Sequence, residues 1–500
     1  MERDLTPRRA TGGIVSVITK DKLFIGGQWV APAGTGLIEV ISPSTEEVIA
    51  RVPEGTNSDI DLAVAKAREA FDRGPWPRMT APERGEIMGR LSALIQGRSQ
   101  EFADVITDQN GSPSSWSLMG QVFSSTMVLD FYTGLASTYA FEEERQGLFG
   151  PALVRKEPVG VAAAIVPWNV PLFVTMLKLG PAMCAGATVV LKPAPETVVD
   201  SYLLAECIAE AGVPEGVINI VPAGREVGEY LVKHPDIDKV GFTGSTAVGR
   251  HIAKLCGERL RRFTLELGGK SAAIILDDAD LDAMVTGLLP AAMMNNGQAC
   301  VAQTRVLASR QRYDEVVKAL TQAVGALKLG DPKDPETAVG PLVARRQQDR
   351  VLGFIEKGTD EGAKITVGGG KGMDRGWYVE PTLFSNVDNK MTIAQEEIFG
   401  PVVAVIPYDD ENDAINIAND SQYGLSGTVW SKDTDRAFEI AKQIRTGTIS
   451  INGFTLDFSC PFGGFKSSGM GRELGPEGLE AYLELKTVSF PAGRTSAVGS

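Results

Sequence analysis

Between residues 159 and 276 the chain alternates short apolar runs with longer amphipathic ones, and this rhythm restricts the fold more than any other feature. Apolar runs predict strands over 159–166, 188–192, 217–221, 239–242 and 262–267. Helical patterns separate them: one after Pro171, one reaching Ala211, a short one near Val227 and one from about Thr246. Strands joined through helices lie parallel, and a parallel sheet needs helices on both faces. The expected class is therefore α/β with a doubly wound parallel sheet. A second alternating series over about 271–450, with helices at 313–327 and 435–444 and a strand at 402–406, predicts a second α/β domain. A chain of 500 residues exceeds one hydrophobic core, which agrees with several domains.

Ahead of the first series, 23–30 reads as a strand, and Ser58 stands three residues before Asp61 as in a capping box. The helix that follows repeats Ile60, Val64, Ala67 and Phe71 on one face and ends at Gly74-Pro75. Residues 141–156 are charged and then extended, and 486–490 reads as a further strand, so both need a partner edge. Residues 1–20 have no adequate apolar core for a secretory signal and read as a loose extension.

Composition excludes several functions. The net charge is −14, which gives no footprint for nucleic acid or an anionic membrane. The best apolar run, 158–167, is short and broken by Gly160, so nothing is expected to span a bilayer. Five scattered cysteines without a CxxC pair fit a reducing, cytoplasmic setting. Two histidines, His234 and His251, are too few for a zinc site or a histidine-based triad, and no metal is expected.

Phosphate motifs mostly fail. No GxGxxG follows a strand, and Gly269-Lys270-Ser271 lacks the P-loop glycine because position 264 is Thr. The cluster Gly368 to Lys371 reads as a turn between strands. Gly244, Ser245, Thr246 and Gly249 open a helix directly after a strand, where amide groups suit a phosphate oxygen; a plain N-cap is the equal alternative.

Among the cysteines, Cys184, Cys207, Cys256 and Cys460 lie in or beside apolar sequence and read as inert buried residues. Cys300 differs, because Asn295-Asn296-Gly297 predicts a sharp turn that presents an accessible thiol whose thiolate nearby amides hold.

Seven motifs stand in one order: Pro167-Trp168-Asn169, Lys192-Pro193, Phe242-Thr243-Gly244-Ser245-Thr246, Leu265-Glu266-Leu267-Gly268-Gly269-Lys270-Ser271, Asn295 to Cys300, Glu396-Glu397-Ile398-Phe399-Gly400-Pro401-Val402, and Pro461-Phe462-Gly463-Gly464-Phe465-Lys466. Together they resemble the NAD(P)-dependent aldehyde dehydrogenase superfamily, over about residues 23–490. The resemblance implies a Rossmann-like parallel-sheet cofactor domain over 21–138 and 158–266 and an α/β catalytic domain over 267–478. It also implies a bridging element from 139–157 and 479–500 that joins subunits into a homotetramer or homodimer.

The chemistry implied is oxidation of an aldehyde to a carboxylic acid. Cys300 matches the nucleophile that forms a thiohemiacetal, from which hydride passes to the nicotinamide to leave a thioester. The Asn169 side chain and the Cys300 amide match the oxyanion donors. Glu266 matches the base that activates water for hydrolysis, and relatives that pass the acyl group to coenzyme A lack it. Lys178 and Glu473 match a supporting proton relay. For the cofactor, the resemblance assigns Lys192 to the adenosine ribose, Ser245 and Trp168 to the pyrophosphate, Glu397 to the nicotinamide ribose and Phe399 to the nicotinamide side. Val166, Pro167, Pro195, Gly224, Phe242, Gly244, Gly249 and Leu267 complete that set.

One departure bears on the cofactor. Many NAD-preferring relatives carry Glu three residues after the lysine, whereas Pro195 stands here and Glu196 is adjacent, so NAD with NADP tolerated is expected. The matching access tunnel is apolar, formed by Val170, Val174, Leu177, Ala299, Val301, Phe454, Phe458 and Phe462. It favours neutral aldehydes over semialdehydes unless Arg305 or another loop supplies a cation. Two rival readings are a cofactor-free cysteine hydrolase and a catalytically retired binding protein.

Overall fold

In the computed structural model, which describes residues 17–491, the predicted alternation folds into a first sheet of eight strands. Its order is Gly469–Met470, Arg262–Glu266, Lys239–Thr243, Val161–Ile165, Thr188–Lys192, Ile218–Ile220, Leu23–Ile25 and Gln28–Val30. The five central strands are parallel and the two ends are antiparallel. Helices cover both faces, as parallel strands require. Asn57–Asp72, Arg225–Lys233 and Thr246–Gly257 pack on one side. Pro171–Ala185 and Val199–Glu210 lie on the other, with an outer layer of Ala81–Gly97, Ser99–Asn110 and Ser124–Thr138.

A second sheet of seven strands runs Lys364–Val367, Thr382–Ser385, Val402–Tyr408, Arg305–Ser309, Ala272–Ile275, Gly427–Trp430, Ser450–Ile451, parallel except at its first edge. The chain crosses from one sheet to the other at Leu267–Ser271, directly after the strand ending at Glu266. A third, small sheet pairs Glu142–Gly147, Gly150–Pro158 and Leu483–Ser489, so the two outlying strands of the sequence find each other. Its hairpin tip leaves Leu148 97% and Phe149 88% exposed.

Some local expectations are corrected. Residues 23–30 form two strands, not one, because Gly26 and Gly27 take φ of 66° and 77° and fold a hairpin. The capping box uses Thr56 and Asp59 instead of Ser58 and Asp61: Thr56 N–H donates to Asp59 Oδ2 at 2.8 Å. Asp59 is the buried member and also accepts from Ala33 N–H at 2.9 Å, whereas exposed Asp61 accepts from Tyr230. The glycines at 368–369 lie between two strands with φ of 78° and 104°, in agreement with a turn. Ser117–Phe123 is a wide, π-type helical segment, a local geometry that often marks functional sites. The expected extension over 1–20 lies largely outside the described residues, as does 492–500. Among the described residues no helix is long and apolar enough to cross a membrane, and no cluster could hold a metal ion.

Candidate active site

The carboxyl ends of Lys239–Thr243 and Arg262–Glu266 open into a cavity of about 580 Å³, where ligands of open α/β sheets generally bind. Cys300 reaches it through a strained turn. Asn295, Asn296 and Gly297 take φ of 52°, 60° and 75°, and a side chain at Gly297 would overlap the Gly400 carbonyl. Buried side-chain amides hold this backbone in place. Asn296 Nδ2 donates to the carbonyls of Gly111 and Pro341 at 2.8 and 2.9 Å, and Asn295 Nδ2 donates to the Asn169 carbonyl at 2.9 Å. Asn169 Nδ2 in turn donates to the Gln298 carbonyl at 2.8 Å, tying its amide to the cysteine loop.

The Cys300 thiol is only partly accessible, and burial, with Glu397 and Glu266 nearby, pushes it up to about 12. The amides of Cys300 and Val301 pull in the opposite direction without overcoming burial. Burial thus opposes the thiolate that the turn is expected to hold.

Glu266 lines the same cavity, buried, with no hydrogen-bond partner on either oxygen. Burial and the Glu473 carboxylate raise its proton affinity well above the usual carboxylate range, while Lys178 and Arg472 oppose the rise. Beneath it, Lys178 Nζ donates to Glu473 Oε1 at 2.7 Å and to Thr243 Oγ1 at 2.6 Å, fully enclosed. A two-way backbone bridge between Phe462 and Glu473, at 2.6 and 2.7 Å, sets both residues.

At one end of the cavity Glu397 is half-buried, accepts from Gly269 N–H at 2.9 Å, and is pushed up to about 7 by desolvation. Trp168 and Phe399 meet edge to face at 5.4 Å. Ser245 caps the helix Thr246–Gly257, its side chain accepting from Val248 N–H, and also lines the cavity. A side chain at Gly244 would press on the Phe242 ring at 2.6 Å, and one at Gly249 would overlap Leu267. The other end is apolar, lined by Val170, Val174, Leu177, Ala299, Val301, Phe454, Phe458 and Phe462.

Several predicted residues stand behind the lining. Lys178 lies under Glu473, and Phe242 and Gly249 support Gly244 and Leu267. Lys192, lowered to about 8 by burial, donates to the Ala223 carbonyl at 2.7 Å beside Gly224, and Val166 N–H bonds the Lys192 carbonyl at 3.2 Å. Glu196 is engaged by Arg346.

Two expectations fail. Arg305 is buried in the second sheet, donating to Asn389 Oδ1 and the Ile417 and Ala418 carbonyls at 2.9 Å each, so it supplies no cation to the tunnel. Cys460 is exposed, because it follows a surface turn in which Asp457 accepts from Ser459, whereas Cys184, Cys207 and Cys256 are buried. Sequence reasoning missed Trp116, Met119, Gly120, Ser124 and Phe173 at the apolar end and Gln347 and Arg350 at the other. The Gly111-Ser112-Pro113 turn before Trp116 was the available signal for the first group.

Two parallel sheets that bring a cysteine thiol and an unpaired buried carboxylate into one cavity define a class of thiol-dependent α/β enzymes. The comparisons give the family. The model of the aldehyde dehydrogenase family matches residues 29–488. A geranial dehydrogenase of Castellaniella defragrans is 50% identical over 475 residues, 94% of this chain and 99% of the relative. The structure of an aldehyde dehydrogenase of Mycobacterium tuberculosis with NAD+ is similar at TM-score 0.95 and 49% identity, covering 96% of this chain and all of that one. A variant of aldehyde dehydrogenase C from Pseudomonas syringae, solved with NAD+ and octanal, is similar at TM-score 0.92 and 39% identity, covering 95% and 99%. The chain belongs to the aldehyde dehydrogenase family and is an NAD(P)-dependent aldehyde-oxidising enzyme.

Proposed function

We propose that this enzyme oxidises neutral, apolar aldehydes to free carboxylic acids, with NAD preferred and NADP tolerated. The observation that carries this reading is the single cavity in which Cys300 and Glu266 face an apolar wall that, among the described residues, carries no cation. The similarity to a geranial dehydrogenase and to an octanal complex points to the same substrate chemistry.

The residues at the polar end fit a dinucleotide. Glu397 is a half-buried carboxylate able to accept from ribose hydroxyls, Gly244 leaves the strand end bare, and Ser245 stands at a helix N-terminus. When bound, the nicotinamide supplies the acceptor for the hydride of the aldehyde carbon. Pro195 offers no carboxylate to repel a 2′-phosphate, and Arg346 engages Glu196.

Within the chain, Cys300 gives its proton to water in the cavity and attacks the carbonyl carbon. Asn169, whose second amide hydrogen is free of the Gln298 bond, and the Cys300 N–H stabilise the oxyanion. After oxidation Glu266 takes a proton from water, the new C–O bond forms, and the Cys300 thiolate leaves. Lys178 and Glu473 sit where they can accept or return that proton. We further assign 21–138 and 158–266 to cofactor binding and 267–478 to catalysis, with the Gly469–Met470 strand crossing back into the first sheet. The exposed tip at Leu148 and Phe149 supports a homotetramer or homodimer, and the free cysteines support a cytoplasmic location.

The test is incubation of purified protein with NAD or NADP and short aliphatic, long aliphatic, aromatic and carboxylated aldehydes, beside Cys300→Ala. The expected result is reduced cofactor that is greatest with long or aromatic neutral aldehydes and absent in the variant. Preference for carboxylated aldehydes would overturn the substrate class, equal turnover with both cofactors the NAD preference, and ester turnover without oxidation would favour a cysteine hydrolase.

A further inference from the structure

One face of the first sheet changes from apolar to polar at its catalytic edge. The strands Lys239–Thr243 and Arg262–Glu266 pair Lys239 with Arg262, Gly241 with Thr264 and Thr243 with Glu266. Side chains alternate along a strand, so these six positions share the face beneath Pro171–Ala185, while Val240, Phe242 and Leu265 fill the opposite core. Their neighbours on the same face, Ala162 and Ala164, are apolar. A polar strip about 13 Å long, four residues at the strand rise, therefore leads from Glu266 down the sheet.

Its upper end is the Lys178–Glu473 pair, whose Glu473 Oε2 has no partner. At its foot Lys239, also buried, donates to Thr264 Oγ1 at 2.7 Å and lies 4.7 Å from the Tyr482 ring centre. Between the two, a side chain at Gly241 would lie 3.2 Å from the Tyr482 hydroxyl and 3.6 Å from Lys178 Cδ, so Tyr482 and Lys178 close on one spot. Glu473, on the same face, and Cys256, across the sheet, favour the charge of Lys239; Lys178 and Arg262 oppose it, and the Tyr482 ring lies beside it. Burial dominates and lowers the amine to about 7, so it exchanges protons near neutrality. Beyond Lys239 the strip reaches solvent at the exposed Arg262–Glu484 pair.

We propose that Lys239 is the lower station of a proton path that starts at Glu266, passes through Glu473 and Lys178, and leaves at the Arg262–Glu484 end. The inference rests on Glu266 being the hydrolytic base. Each hydrolysis takes one proton from water as the C–O bond forms and the C–S bond breaks. That proton passes from Glu266 to the Glu473–Lys178 pair, then to the Lys239 amine, then to bulk water, and every group regains its starting charge. Lys239 touches neither substrate nor cofactor; it is a positioning residue that places a proton acceptor behind the pair.

The experiment is rapid-quench measurement of carboxylic acid formation from octanal and NAD across pH 6–9, in the wild type, Lys239→Met, Lys239→Ala, Thr264→Val and Glu266→Gln. Lys239→Met is expected to keep the first burst of reduced cofactor, to slow acid release about tenfold, and to lose the change in rate near pH 7. Lys239→Ala is expected to regain rate with added ethylamine, and Thr264→Val to slow by about threefold. Wild-type rates and pH profile in folded Lys239→Met overturn the path, as does slowing without a changed profile or amine rescue. If Lys239→Met does not fold, a wild-type profile in Thr264→Val overturns it. Undiminished acid release in Glu266→Gln would instead overturn the base reading beneath it.

Discussion

At the polar end of the cavity, Glu397, Gly244 and Ser245 are held by backbone: a strand end, a helix start and the Gly269 amide at 2.9 Å. At the apolar end, Phe173, Phe454 and Phe458 come from a helix and a long loop, and the contact that joins them is a tilted ring pair at 6.1 Å between Phe173 and Phe458. Directional groups that must meet hydroxyls and phosphates need fixed geometry, whereas an apolar wall needs only volume and shape. The polar end, proposed to hold the cofactor, should therefore tolerate little change. The apolar end, proposed to take the aldehyde, should shift its preference without losing its chemistry.

Changes at the junction should have the largest effect. Cys300→Ala is expected to lower turnover by about 10³-fold or more, with cofactor binding, followed by fluorescence quenching, unchanged. Next comes the polar end: Glu397→Gln should raise the cofactor KM about tenfold, since a hydrogen bond to a charged group contributes about 1.5–3 kcal/mol. The Glu397 carboxyl titrates at about 7, and its ionised form is the better acceptor. Cofactor affinity should therefore strengthen as pH rises through 7, and a calorimetric titration at pH 6 and 8 checks it. At the apolar end Phe458→Ala should change the ratio of kcat/KM for octanal over propanal by severalfold while sparing turnover of propanal. A loss of both would erase the distinction between the two ends.

The thiol itself sharpens the comparison. With Cys300 raised to about 12 by burial, its thiolate fraction rises about tenfold per pH unit below that value. Alkylation by iodoacetamide without cofactor, read on the Cys300 peptide, should follow that slope from pH 7 to 9. A plateau near pH 8 would show a far more acidic thiol than the burial implies.

The polar end was the more legible in sequence for the same physical reason that makes it rigid. Backbone-held sites need particular residues at particular offsets, so Phe242 to Thr246 and Asn295 to Cys300 stand out, as does the strand and helix rhythm that carries them. The apolar end left less trace: Phe173 lies in an ordinary apolar helix, and the widened Ser117–Phe123 turn has no composition of its own. Long-range pairing was equally hidden. Nothing in Gly469-Met470 announces a strand, yet those residues close the edge of the first sheet against Leu265 and Glu266. Arg305 and Cys460 were misplaced because burial depends on what packs above a residue, and the adjacent sequence does not report that.

The proposed succession of Cys300 and Glu266 within one cavity is tested most directly by rapid mixing of Glu266→Gln with NAD and octanal. It predicts a burst of reduced cofactor near one equivalent per site, followed by turnover about 10²- to 10⁴-fold slower than wild type. Sustained turnover at the wild-type rate, or no burst in folded protein, would contradict it.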